Sequence, residues 1–249
     1  MDFKNVLLIV AVIIVLYLVY LTLFKDTSTH QLFSAHNAKS YTKFKANDLP
    51  GGGLSSDYSY SFWMYVSNYN YRFGAKKPII VRATDAEVGA FPYIGLAETT
   101  NDLEVIIHYA GDAPDQGQES LLILDDIPLQ KWTYVVVTTS GRTIDIYLDG
   151  KLVKTTVLPG MPFTKTIEDA PIHVCPESKD NLGQGADGNG FAGHMTKLEY
   201  FDRTLNPREV YERYKSGFGE GGAAGEMMSK FNLKIAFLQD DQEVSGLTI

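Results

Sequence analysis

Any chemistry in this chain would have to come from carboxylates, a few imidazoles or one thiol, and their spacing decides what each group can do. The close acidic pairs, Asp125-Asp126 and Glu168-Asp169, are adjacent in the chain. Neighbours in a strand point to opposite faces, so neither pair can face one cleft at the ~5–9.5 Å separation that glycoside hydrolysis uses. Both pairs read as loop or turn residues. His173 and Cys175 share a strand face, as a base and a nucleophile would, but no third group is placed to orient the base. A packed thiol beside a satisfied histidine is the plainer reading.

Hard oxygen ligands gather in two glycine-containing segments: Asp112 and Asp115 in one, Asp180, Asn181, Asp187 and Asn189 in the other. Calcium is a possible ligand for them, although the spacing fits no compact loop motif and solvated turns account for the same residue types. Tyr69, Tyr71, Arg72 and Phe73 offer rings beside a fixed charge, which is what glycan recognition wants. The same residue types are favoured at protein interfaces, so packing on a sheet edge or a partner competes with that reading. Near the C-terminus, Phe231, Leu233, Ile235 and Phe237 alternate with Asn232, Lys234 and Ala236, giving an extended segment one apolar edge. Such a strand would add to an exposed sheet edge of a partner or return onto its own domain.

These residues must be held by a packed body. Of 249 residues 45% are hydrophobic and 21% charged, which excludes wholesale disorder. One Cys among fifteen Tyr and thirteen Phe excludes a disulfide framework or a cysteine zinc site. A net charge of −8 without a Lys/Arg cluster excludes a nucleic-acid partner.

From Val6 to Phe24 the chain carries no charge, long enough as a helix to cover the roughly 30 Å core of a bilayer. Lys4 and Lys25 bracket it, and Tyr17 and Tyr20 lie toward one end. The run exceeds the apolar region of a signal peptide and no small-x-small site follows, so an uncleaved single-pass anchor is predicted. Lys25, Lys39 and Lys43 against Lys4, the lone Cys175 and the absence of any Asn-x-Ser/Thr acceptor incline the domain to the cytoplasmic side. The organisation read from this is an anchor at 1–25, a stalk at 26–53 closing on Gly51-Gly52-Gly53, a folded domain at 54–217, and a Gly-rich spacer with tail at 218–249.

Within the domain, Tyr58 to Val66 alternates with one reliably apolar face. Further strands are predicted at Pro78–Arg82, Phe91–Leu96, Leu103–Tyr109, Leu121–Leu124, Trp132–Thr139, Thr143–Leu148, Lys151–Val157 and Phe191–Phe201, the spacing of an all-β sandwich. Asp149-Gly150 signals a type I′ hairpin, and the Trp63 and Trp132 rings are assigned to the sandwich core. One helix is convincing: Asn206 as cap, Pro207 at the first position, Glu209 closing a capping box, Leu205 and Val210 as staple, ending near Gly217.

The segments Tyr60-Ser61-Phe62-Trp63-Met64-Tyr65-Val66, Lys131-Trp132-Thr133-Tyr134-Val135-Val136-Val137, Ile146-Tyr147-Leu148-Asp149-Gly150-Lys151-Leu152, Gly190-Phe191-Ala192-Gly193 and Leu205-Asn206-Pro207-Arg208-Glu209-Val210, in that order, resemble the laminin-G-like branch of the concanavalin A-like lectin/glucanase superfamily. The resemblance implies a two-sheet antiparallel jelly roll. The family's usual Gly-x-Ile-Asp reads Gly193-His194-Met195-Thr196 here, so any role of that Asp is lost, and the Glu-x-Asp-x-x-Glu of its hydrolases is absent. The anchor, the Gly-rich junction and the segment Tyr65 to Gly74 are similar to membrane proteins of large DNA viruses of algae and protists. The expectation is a non-enzymatic, membrane-anchored jelly roll that binds or scaffolds, with the bilayer and structural proteins of a virion, capsid proteins among them, as partners. The alternative is a membrane-displayed glycan-binding lectin, and a glycoside hydrolase is third.

Overall fold

Period-two alternation governs the chain from Thr29 onward, and in the computed structural model it resolves into strands. The described residues are 12–17, 29–50, 57–83, 92–110, 117–162, 170–177, 190–218, 234–239 and 242–248. The strands are β1 (Thr29–Asn37), β2 (Thr42–Phe44), β3 (Tyr58–Asn68), β4 (Lys77–Arg82), β5 (Tyr93–Leu96), β6 (Leu103–Ala110), β7 (Gly117–Leu124), β8 (Trp132–Ser140), β9 (Thr143–Leu148), β10 (Lys151–Val157), β11 (Ile172–Val174) and β12 (Ala192–Phe201), with helix α1 at Pro207–Lys215 and a final pair, β13 (Lys234–Gln239) and β14 (Gln242–Thr248). Two six-stranded sheets, ordered β1-β12-β3-β8-β9-β10 and β2-β11-β4-β5-β6-β7, form the sandwich, and every recorded pairing is antiparallel.

Tyr58, Tyr60, Phe62, Met64 and Val66 of β3 enter the inter-sheet core with Ile79, Ile94, Val105, Val135, Ile146, Leu198 and Tyr200, as the alternation predicts. The opposite face of β3 is buried as well. Helix α1 lies over it, so Trp63, Tyr134, Val136, Tyr147 and Phe201 join Leu205 and Val210 in a second apolar cluster. The tryptophans are thus not in the inter-sheet core: Trp63 stacks on Tyr214 at 5.6 Å and Trp132 on Phe218 at 4.8 Å, beneath the helix. The helix start is as expected, with Asn206 accepting from the Glu209 N–H and Glu209 reaching back to the cap. Asp149 (φ +47°) and Gly150 (φ +78°) make the predicted type I′ turn.

The sandwich begins earlier than residue 54. Segment 29–44, expected as stalk, supplies β1 and β2, which pair with β12 and β11. Leu32, Ala38, Ala46 and Leu49 are buried within residues 29–50, and their wide spacing among polar residues hides the pattern in sequence. Residues 12–17 of the expected anchor are helical with exposed apolar side chains, and the rest of Val6–Phe24 lies outside the described residues. No helix among the described residues is long and apolar enough to cross a membrane. In the tail, β13 and β14 pair with each other, Ile235 opposite Leu247 and Phe237 opposite Ser245, so the extended segment finds its backbone partner within itself.

Candidate ligand-binding rim

Residues 69–76 connect β3 to β4 at one end of the sandwich, and the structure holds this loop from several sides. The Tyr69 hydroxyl donates to the carbonyl of Ala97 at 2.8 Å and also contacts that of Thr100. Beneath it, the buried Lys77 ammonium sits 4.2 Å from the Tyr69 ring centroid and donates to the carbonyls of Ala75 and Ala97, each at 3.3 Å, and Glu98 at 3.2 Å. Burial first, and the Arg72 charge second, lower the Lys77 pKa. Burial, followed by the charges of Asp102 and Glu104, raises that of Tyr69. Gly74, at φ +82°, donates its N–H to Glu98 O at 3.0 Å, a turn that glycine makes without strain. Arg72 takes the left-handed conformation (φ +52°) and donates from Nη2 to Glu177 O at 2.8 Å. The Lys39 ammonium lies 4.6 Å from the Tyr71 ring centroid. Phe73 is the exception: held at the loop's tip, its side chain is 61% exposed.

The neighbouring connections are tied to the same end. Gln130 N–H donates to Val66 O at 2.8 Å, Ile127 N–H to Asn101 O at 2.8 Å, and Asp126 N–H to the Asp102 carboxylate at 3.0 Å. Arg72, Asp126 and Gln130 have φ between 52° and 58°, so three non-glycine residues of these connections take the left-handed conformation. Such conformations cost of order 1–3 kcal/mol each and persist where the surrounding structure over-determines them.

Of the sequence candidates, Tyr69, Tyr71, Arg72 and Phe73 come together here, three packed and one presented. Asp112, Asp115, Asp180, Asn181, Asp187 and Asn189 lie outside the described residues, as do Phe231 and Leu233, while Ile235 and Phe237 fall on the β13–β14 hairpin. Among the described residues no group of three or more His, Cys, Asp or Glu could hold a metal. Asp125-Asp126 lies in the connection from β7 to β8, with the Asp126 N–H held by Asp102, a carboxylate already engaged at 2.6 Å by Thr100 Oγ1. His173 is buried and shares a 2.9 Å hydrogen bond with Tyr41 through Nδ1. Cys175 is buried with Sγ 3.8 Å from Met195 Sδ, and burial pushes its thiol far up, away from a nucleophilic thiolate.

Sequence reading missed a cleft of about 190 Å³ on the outer face of the first sheet, beside α1. Its floor is Trp63 and Tyr134, and its walls are Gln31, Lys197, Glu199 and Arg213. The alternation of Lys197 and Glu199 on one strand was the visible signal, but Gln31 fell in the expected stalk and Arg213 on the helix.

Two six-stranded antiparallel sheets with a loop-built rim define a jelly roll of the lectin type. Residues 36–211 match a laminin-G-type family, and the chain belongs to the concanavalin A-like lectin/glucanases superfamily. Among solved structures it is similar to the botulinum neurotoxin serotype D ligand binding domain in complex with N-acetylneuraminic acid, at 15% identity and a TM-score of 0.53, covering 76% of this chain and 46% of that one. It is similar also to the receptor binding domain of the botulinum neurotoxin C/D mosaic serotype, at 15% identity and a TM-score of 0.51, with the same coverage. The chain thus spans less than half the length of those domains, and at this identity the likeness is one of fold. No curated protein sequence matches it.

Proposed function

We propose that this chain is a non-catalytic carbohydrate-binding module of the lectin type, displayed on a membrane by Val6 to Phe24. The observation that carries the reading is Phe73, a ring left 61% exposed at the tip of a loop whose other aromatic and cationic side chains are pinned. A ring in that position can lie against the apolar face of a sugar. Membership of a lectin/glucanase superfamily supports the reading, as does a solved relative in complex with N-acetylneuraminic acid. The linking role between membrane and capsid has only the sequence resemblance behind it, whereas glycan binding has both family and rim geometry. The anchor belongs to the proposal through the charge-free run from Val6 to Phe24.

The test is a glycan array probed with the full chain in nanodiscs, followed by affinity measurement on the best ligand. Phe73→Ala should weaken binding roughly tenfold, about 1.4 kcal/mol, with no loss of thermal stability. Absence of any glycan ligand, or a ligand whose affinity ignores Phe73, would count against the rim.

A further inference from the structure

We propose that the cleft between α1 and the β1–β12 edge of the first sheet is a second binding site, for a sugar-sized polyhydroxy ligand carrying one carboxylate. It deepens the carbohydrate-binding reading but stands on a different surface and different residues. Its volume of about 190 Å³ is more than tenfold the ~10–15 Å³ that a single water needs.

The backbone is irregular at this place in two adjacent strands. The β1–β12 register shifts between Gln31 and Phe33, and the β12–β3 register shifts between Thr196 and Glu199. The cause is visible in the packing: Met195 and Leu198 both enter the inter-sheet core, so two residues instead of one lie between inward positions. The bulge turns Lys197 and Glu199 to the outer face, with Lys197 at φ +48°. Glycine would adopt that angle without strain, whereas a lysine there stores strain to aim its side chain.

The polar atoms converge and are only partly used. Glu199 Oε2 accepts from Ser61 Oγ at 3.1 Å and Arg213 Nη1 at 2.8 Å, while among the described residues Oε1 has no hydrogen bond. Lys197 Nζ donates once, to Gly217 O at 2.7 Å, leaving two N–H groups. The Arg213 guanidinium is steadied over the Phe201 ring at 4.4 Å.

Donors and a carboxylate acceptor over aromatic rings suit a ligand whose hydroxyls do both. Inorganic phosphate, with one or two acidic protons near neutral pH, has no apolar face to set against Trp63. Two cations against one carboxylate leave the walls at +1, from Lys197, Arg213 and Glu199, which asks for one negative charge on the ligand.

The experiment is ligand-observed NMR titration of the full chain in nanodiscs with N-acetylneuraminic acid and glucuronic acid, against galactose and glucose. The expected result is preferential binding of an acidic sugar, weakened tenfold or more by Lys197→Gly, which keeps the backbone angle but removes the ammonium. The exposed Gln31→Ala, which should fold normally, is expected to weaken binding several-fold. The proposal is overturned if no acidic sugar binds, if neutral sugars bind with the same dependence on Lys197→Gly, or if acidic-sugar binding survives both cleft variants. Acidic-sugar binding that is lost with Phe73→Ala instead would assign the ligand to the rim and also overturn the cleft. A failed glycan array combined with loss through Lys197→Gly would sink the rim and leave the cleft standing.

Discussion

Lys77 does at the rim what a bound cation does in other loop clusters: it draws backbone carbonyls of separate segments to one positive charge. Its ammonium meets Ala75, Ala97 and Glu98 at 3.2–3.3 Å beneath the Tyr69 ring, joining the β3–β4 and β5–β6 connections. Hydrogen bonds to a charged group are worth about 1.5–3 kcal/mol. Lys77→Met, which preserves the apolar stem, should therefore cost about 2 kcal/mol and lower the midpoint of thermal unfolding by roughly 4–8 °C for a domain of this size. Calorimetry would check it, and a shift no larger than that of Phe73→Ala would refute the tethering role. Gly193 shows the opposite kind of constraint, because a Cβ there would run into the carbonyl oxygen of Tyr65 on the neighbouring strand, where no side-chain rotation can relieve it.

At the scale of the element, α1 is fixed at its start by charge. The Arg203 guanidinium pairs with Glu209 at 2.8 Å, and the Asn206 N–H donates to the same carboxylate at 3.0 Å. These bonds, the Arg203 one foremost, hold the Glu209 carboxyl below its ordinary range. A depressed carboxyl pKa contributes stability that is present above the unfolded value, near 4.3, and is lost as pH falls through the folded value. Glu209→Gln should therefore destabilise the domain at pH 7, and the difference from the parent should shrink steadily as pH falls below about 4. Urea titrations across pH 3 to 7 would show it; a difference that stays constant would mean the glutamate acts without its charge. Since α1 roofs the cluster around Trp63 and walls the cleft, fraying its first turn loosens both.

For the whole molecule the decisive feature is where the sandwich begins. β1 closes the edge of β12 through seven residue pairs, and β2 flanks β11. A fragment of 54–217 would leave β12 and β11 as raw edges and uncover the core that Leu32 and Leu49 seal. Residues 29–218 should thus give a cooperative melt, while residues 54–217 should aggregate or unfold without one, by circular dichroism. Equal folding of the two fragments would restore the stalk reading of 26–53. The central strands, the type I′ hairpin, the capped helix and the Tyr69–Phe73 loop are legible in the sequence, because alternation, Asp-Gly and a capping box act over a few neighbours. The edge strands β1 and β2 are not, since a polar strand is stabilised by the ladder of its neighbour and not by its own pattern. The burial of both faces of β3 and the cleft beside Trp63 are equally hidden. They require a helix from residues 207–215, a bulge at 196–199 and a strand from residues 29–37 to meet on one face, and only the closed sandwich brings segments so far apart in the chain together.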